Sequence, residues 1–381
     1  MEGFRIAIFT GNYNHIRDGV SLTLNRLVRY LEEAGNDVLV FGPSIDNPPM
    51  VHEGTMEVVP SISMPGRPEY RISLRMTTSN RKRLKAFDPD IVHIATPDLL
   101  GLQALRWACR RKIPVTTSYH THFSSYLSYY NLGWIEALTV RYLKWFYGKA
   151  KQVYVPAPSM IEEMKSQGFL GDLRIWARGV DLSLFSPRQR DLNWRRKLGV
   201  DDRDLILLFV SRLVWEKNLD IYAKAAKQAM AHDSRIRPMV VGDGPALERL
   251  KEILPSAIYT GFLTGGDLAR AYASSDIFLF PSVTESFGNV TLEAMASGLP
   301  CIVANAAGSK SLVNQGENGY IVDVSSVDSV STAVIRMADD DSLRKSMGQL
   351  SFEKAQKYSW SQINGELLDN YREVLNRNDS K

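Results

Sequence analysis

The chain has 381 residues, 44% of them hydrophobic and 23% charged, the make-up of an ordinary globular protein long enough for two cores rather than one. Lysine and arginine number 46 against 42 acids, a net charge of +4, too mild to call for nucleic acid as a partner. Two cysteines far apart, Cys109 and Cys301, argue against a disulfide framework and for a reducing compartment. No stretch approaches the roughly 18 apolar residues of a spanning helix. With "MEGFRIAIFTG" running straight into a strand pattern, no secretory signal is expected and the cytoplasm is the expected location.

In chain order, the first half predicts strands at 5–10, 37–42, 90–96, 114–120 and 152–157. Most are continuous β-rich runs, as expected of a parallel sheet covered on both faces. Between the first two, "SLTLNRLVRYLEEAG" has helical spacing, with Ser21 placed to open the helix and Gly35 to end it. The pattern restarts after "FSPRQRDLNWRRKLGV" at 185–200, with strands at 205–212, 238–244, 257–262, 276–282, 300–305 and 319–323. The tail "YSWSQINGELLDNYREVL" is helical, opened by Ser359 or Ser361. Two βα series in tandem predict an α/β protein of two doubly wound domains with a cleft between them. Neither a solenoid repeat nor a low-complexity tract is present.

Ligands of such sheets bind beyond the carboxyl ends of the strands, so the residues just past each run are the candidates. After the first strand come Gly11, Asp18 and Gly19, in a pattern that is neither GxGxxG nor GxxxxGK[ST]. Gly19 lets a phosphate approach the amides of a helix start. "SYHTHF" places His120 and His122 at the end of another strand. With His93 they suggest a metal site, but no acid or cysteine stands at ligand spacing, so a hydrogen-bonding or structural histidine is expected instead. Arg212 and Lys217 in "VSRLVWEKN" suit a diphosphate clamp, the plainer reading being that one of them pairs with Glu216. In "VGDGPALERL" Gly244 belongs to a tight strand-to-helix turn, with Pro245 expected at the first helical position. Main-chain groups beside Phe262 and Leu263 suit a flat base. "TESFGNVTLEAMASGLP" predicts a loop carrying Glu285, a helix starting near Gly288–Asn289, Glu293 about one turn inside on the face of Asn289 and Val290, and a stop at Gly298-Leu299-Pro300. The positive end of that helix stabilises an anion by roughly 0.3–1 kcal/mol, and by up to about 2 when partly buried.

Two segments carry unusual surface chemistry. Residues 67–85, "RPEYRISLRMTTSNRKRLK", hold seven basic residues and one acid. They are either a solvated loop and helix face or a patch for an anionic membrane or acidic acceptor. Residues 126–151 are aromatic and basic, and Trp134, Leu138, Arg141, Tyr142, Trp145 and Phe146 form either an interfacial face or a core-packed one.

Together the Asp18-Gly19 loop, His120 in "SYHTH", "RGVDLSLF" at 178–185, Arg212 and Lys217, "VGDGP", and the pair Glu285 and Glu293 resemble retaining glycosyltransferases of family 4, over nearly the whole chain. "SYHTH" and "ESFGNVTLEAMASGLP" are most similar to the branch of GDP-mannose-dependent α-mannosyltransferases and sulfoquinovosyldiacylglycerol synthases. The resemblance implies the GT-B fold. Its acceptor-side domain would span 1–185, with a terminal helix at about 360–377 packing back on it, and its donor-side domain 200–357, closing over the donor. It implies transfer of a hexose from GDP-mannose, a UDP-hexose or a UDP-hexuronic acid, with retention, to a lipid or lipid-linked glycan. It assigns the leaving diphosphate to Arg212 and Lys217 with the amides near Gly19 and Gly288–Val290. It gives the sugar hydroxyls to Glu285, the ribose to Glu293 and the reacting face of the sugar to His120, with no cofactor and no metal. Glu285 is not expected to be a nucleophile. Peripheral contact with the inner face of the cytoplasmic membrane through 67–85 and 126–151 completes the expectation. The competing readings are a nucleotide-sugar epimerase of the same fold, a transferase acting on a soluble acceptor, a two-lobed solute-binding protein and a nucleic-acid binder.

Overall fold

The structure, a computed structural model, describes residues 3–65, 67–119, 133–285, 287–306 and 308–379. The chain divides into two units, Met1–Ala177 with Ser361–Lys381, and Arg178–Trp360.

The first unit runs β1 (Arg5–Phe9), α1 (Gly19–Glu33), β2 (Asp37–Gly42), β3 (Thr55–Val58), β4 (Ser61–Met64), β5 (Arg67–Ser73), α2 (Thr78–Phe87) and β6 (Ile91–Ile94). It continues through α3 (Leu99–Arg111), β7 (Val115–Ser118), α4 (Gly133–Tyr147), β8 (Gln152–Val155), α5 (Pro158–Ser166) and β9 (Leu173–Ile175). Seven parallel strands lie in the order β3-β2-β1-β6-β7-β8-β9. Ile6 to Phe9 are wholly buried, and Phe9 stacks on Phe41 with centroids 4.8 Å apart. Leu84 of α2, Leu105 of α3 and Phe146 of α4 pack in one cluster with Phe9 and Val153, so both faces of the continuous apolar strands are covered.

Four local expectations change. Helix α1 is capped by Asp18, whose carboxylate accepts from Ser21 N at 2.8 Å, so Ser21 lies inside the first turn rather than opening it. The segment 67–85 has the expected helix, but most of the expected loop before it is a strand. Its first part, β5, pairs antiparallel with β4, and its second part, α2, opens on a capping box made by Thr77 and Asn80. Phe146 is fully buried with Leu143 and Tyr147, while Leu138, Arg141 and Trp145 face outward. Tyr142 is half-buried and donates its hydroxyl to Pro97 O. Phe146 therefore leaves the expected interfacial face; the Trp134 side chain and residues 126–132 lie outside the described residues. Finally, Pro245 stands two residues before the helix that it was expected to begin.

The second unit runs α6 (Leu192–Lys197), β10 (Leu205–Val210), α7 (Leu219–His232), β11 (Ile236–Val241), α8 (Leu247–Ile253), β12 (Ile258–Gly261) and α9 (Gly265–Ala273). Then come β13 (Ile277–Phe280), α10 (Asn289–Ala296), β14 (Cys301–Ala304), β15 (Gly319–Val322), α11 (Val327–Asp339) and α12 (Asp341–Ala355). Its six parallel strands lie in the order β12-β11-β10-β13-β14-β15. The last helix, α13 (Trp360–Asp379), belongs from Ser361 onward to the first unit. There the Tyr371 hydroxyl shares a hydrogen bond with His93 Nδ1 at 2.8 Å, and Arg174 donates to Asn370 and Glu373.

In each sheet the strand order reverses beside the first strand, between β1 and β6 and between β10 and β13. Helices on either side of that point leave for opposite faces, which opens a crevice at the carboxyl ends of the two strands.

Candidate functional site

The reversal in the second unit brings together the loop after β10 and the loop after β13. Past β10 the chain makes a 3₁₀ turn at Trp215–Lys217 and then Asn218, held in the left-handed region at φ 55°. Asn218 Nδ2 donates to Pro281 O at 2.9 Å and ties this turn to the second loop. Lys217 Nζ thereby reaches Glu285 Oε1 at 2.6 Å and Thr284 Oγ1 at 3.1 Å. The two charged side chains are only 15% and 21% exposed. Arg212 is not drawn in. It is 68% exposed and meets Glu216 Oε1 at 3.4 Å, a surface pair of the kind that contributes at most about 1 kcal/mol.

Helix α10 begins where the spacing put it. Its cap is Gly288 at φ 94°, a conformation only glycine adopts cheaply, and no side chain caps it. The amides at Asn289 and Val290 are thus left for another acceptor. A Cβ on Gly288 would stand 3.4 Å from Ser309 Oγ and 3.5 Å from Thr291 Oγ1. Both of those residues are fully buried, and neither hydroxyl has a hydrogen-bond partner among the described residues. Gly308 supports the same loop from below. A Cβ there would come within 2.4 Å of Glu285 O and 2.7 Å of Phe287 N, so only glycine fits. Sequence reasoning missed Thr284, Thr291, Gly308 and Ser309; the signal available was the glycine–serine turn shortly beyond β14.

Glu293 lies half-buried on α10 and accepts from the Tyr272 hydroxyl at 3.0 Å. Burial and then the Glu293 charge push the Tyr272 hydroxyl pKa far above its ordinary value, so it stays protonated and donates to the carboxylate. Tyr272, another residue that the sequence did not single out, is fixed edge-on against Phe185. Phe262, just past β12, is 76% exposed, and Leu263 beside it is half-buried. At Gly244 a Cβ would fall 2.4 Å from Leu213 O. Its place is accordingly to let the loop after β11 close on the loop after β10, where Leu213 N donates to Asp243 O.

In the first unit, the Asp18 carboxylate is occupied as the cap of α1 and accepts from Asn12 Nδ2 at 2.8 Å. Gly19 opens that helix, and a Cβ on it would meet nothing within 4 Å. His120 and His122 lie outside the described residues. His93 is a core residue. It is wholly buried, bonded to Ser118, Thr116 and Tyr371, and pushed by burial to a pKa of about 3. That removes it from the metal site entertained on sequence. Among the described residues no three His, Cys, Asp or Glu side chains gather as metal ligands.

Residues 17–184 match the family described as Glycosyltransferase Family 4, and residues 191–354 that described as Glycosyl transferases group 1. A GDP-mannose-dependent alpha-mannosyltransferase of Corynebacterium glutamicum is 30% identical, over 97% of this chain and 89% of its own. The sulfoquinovosyl transferase SQD2 of Arabidopsis thaliana is 30% identical, over 90% and 68%. An alpha-monoglucosyldiacylglycerol synthase of Streptococcus pneumoniae is 29% identical, over 78% and 70%. Among solved structures, a sucrose-phosphate synthase from Thermosynechococcus elongatus has the same fold, with a TM-score of 0.77 at 19% identity, covering 98% of this chain and all of its own.

Proposed function

The chain belongs to glycosyltransferase family 4 and is a glycosyltransferase that uses nucleotide sugars, and from that premise we propose that it moves a hexose from GDP-mannose or a UDP-sugar to a lipid or lipid-linked acceptor, with retention and without a metal. One observation carries the reading: Glu285, half-buried and paired with Lys217 from the neighbouring loop, stands in the same loop as an uncapped helix start flanked by two unpartnered buried hydroxyls. Each part suits a leaving diphosphate or its sugar. The first amides of α10 and the Ser309 and Thr291 hydroxyls are donors with no acceptor, and phosphate oxygens are acceptors. Lys217 is a cation that a diphosphate would draw from Glu285, leaving the carboxylate to accept two sugar hydroxyls. Arg212, on a surface pair weak enough to be exchanged, would swing to the same phosphates.

In the step itself the anomeric carbon–oxygen bond to the phosphate breaks as the bond to the acceptor oxygen forms on the same face. The acceptor proton passes to the departing phosphate oxygen. Charge grows on the diphosphate as the sugar turns oxocarbenium-like, and preorganised cations and amides stabilise that charge more than the ground state. Glu293, held by Tyr272, takes the ribose, and Phe262 offers an exposed ring to the base. Asp18, Gly19 and His120 are assigned to the donor on the family resemblance, Asp18 by keeping Gly19 at the helix start. The lipid acceptor is supported by the diacylglycerol named for the pneumococcal relative, and the donor by the GDP-mannose named for the corynebacterial one. No helix among the described residues is long and apolar enough to cross a membrane, so such an acceptor would be met at a membrane surface, on the cytoplasmic side.

Thermal unfolding in the presence of GDP or UDP, and then of their sugars, tests this. The cognate nucleotide at a hundred times its Kd stabilises by about 2.7 kcal/mol, and Lys217→Ala removes most of that gain. No stabilisation by either nucleotide at millimolar concentration overturns the reading.

A further inference from the structure

We propose that the groove between α2 and α3 is a binding site for the phosphate-bearing headgroup of an anionic lipid, and that the β4–β5 hairpin beside it enters the interface. This rests on the lipid-surface reading above and names the part of the first unit that serves it.

The groove encloses about 510 Å³. Arg81, Lys82 and Lys85 line it from α2, Arg106, Arg110 and Arg111 from α3, and Arg75 from the strand-to-helix connection. Neither helix contains an acid, and none of these seven cations is in an ion pair among the described residues. The contrast with Arg83 is informative. It lies on the same helix but outside the groove, and it is matched by Glu57 at 3.4 Å. Arg111 leans over the Trp107 ring at 4.3 Å, which gives the groove an amphipathic wall. Arg81 and Lys85 are four apart on one helix, Arg106 and Arg110 four apart on the other, a spacing at which like charges repel. Cations near a helix C-terminus are favoured by the dipole, which accounts for Lys85, Arg110 and Arg111. It does not account for Arg75, Arg81, Lys82 or Arg106. An anion seated among them does.

A free phosphate and a lipid headgroup share this chemistry, and the hairpin chooses between them. Ile62 pairs with Ile72 in register, and they are 51% and 38% exposed; Met64 and Leu74 are each 37% exposed. Three exposed apolar residues on a two-stranded ribbon, with a fourth just past its end, have no use in water. The ribbon is fastened to the groove, because α3 donates from Gln103 Nε2 to Leu74 O and accepts from Met76 N at Gln103 Oε1. Apolar side chains beside a cationic pocket match the two layers of an anionic leaflet.

The test is flotation of the full chain with vesicles of phosphatidylcholine, with and without phosphatidylglycerol. Only the anionic vesicles should carry the protein. The combined variant Arg81→Gln/Lys85→Gln/Arg106→Gln/Arg110→Gln should lose about 600-fold in partitioning, at about fivefold per cation. Ile62→Ser/Ile72→Ser should lose about tenfold. The same net charge change placed in the second unit, Lys224→Gln/Lys227→Gln/Lys345→Gln/Lys357→Gln, should leave flotation unchanged. Equal loss in that control means a diffuse field rather than a site and overturns the proposal, as does wild-type flotation of the groove variant. Stabilisation by inorganic phosphate through the groove residues, without vesicle binding, reassigns the groove to a soluble anion and overturns the lipid source. Nucleoside-diphosphate stabilisation, measured in parallel on the wild type and the groove variant, reports the donor site and the fold. A failure of the donor reading is thereby distinguished from a failure of this one.

Discussion

Replacing Lys217 by alanine leaves the Glu285 carboxylate, 21% exposed, without the cation now 2.6 Å away. At an effective dielectric of about 20 that contact attracts by about 6 kcal/mol before desolvation. Removing one partner costs at most about 1 kcal/mol in exposed pairs and about 3–5 kcal/mol in buried ones, so about 2 kcal/mol of stability is expected here. Transfer should suffer more, because a positioned charge facing a leaving diphosphate contributes about 3–4 kcal/mol to the transition state, or 10²–10³-fold in kcat/KM. The two effects separate in the double variant Lys217→Ala/Glu285→Ala. With no orphan carboxylate left, urea unfolding should show part of the lost stability restored, while single-turnover transfer stays at or below the level of the single variant. Turnover near wild type in Lys217→Ala refutes the reasoning. So does a double variant in which turnover returns together with stability, for the pair would then serve folding alone.

Tyr272→Phe removes the hydrogen bond to Glu293 Oε2 and keeps the ring packing against Phe185 and Phe278. The Kd for the nucleoside diphosphate, measured by calorimetry, should rise about tenfold with kcat retained; an unchanged Kd counts against Glu293 as the ribose ligand. His93 gives a pH signature. Its folded pKa of about 3 lies below the ordinary value of 6.5, so between those limits the unfolded chain binds more protons. Its contribution is therefore complete above pH 6.5 and is lost on acidification, by up to about 1.4 kcal/mol per pH unit. His15, also lowered by burial, adds in the same sense. Asp172, held down by its bond to Arg174, acts only at lower pH, below the ordinary carboxylate value of 3.8. His93→Gln should remove about one proton from the slope measured between about pH 6.5 and 5, and an unaltered slope refutes the assignment.

Much of the fold was legible because a parallel strand covered on both faces must be a continuous apolar run. "RIAIF", "DVLVFG", "LILLFV" and "CIVA" carry that requirement in their own residues. The ends of α1 and α10 were legible for a similar reason, since Gly35 and Gly288 mark positive φ where other residues are strained. The short edge strands β3 and β9 and the β4–β5 hairpin were not, because they are half-exposed and have no buried run to announce them.

What the sequence by itself determined is thus local: where strands and helix ends fall, and which charged residues lie just past a strand. Choices between near neighbours were left to packing. Asp18 and Ser21 are both capping residues, and Trp145 and Phe146 are adjacent on one helix, about 100° apart around its axis. Only the tertiary structure brought Lys217 to Glu285, 68 positions away, set Tyr272 on Glu293, and laid Ser309 beside Gly288. It also laid two basic helices side by side, so that Arg106 and Arg110 share a groove with Arg81 and Lys85. The physical reason is range. Backbone preference and hydrophobic period act within a few residues, whereas a site is made where the strand order reverses and distant loops are forced to meet.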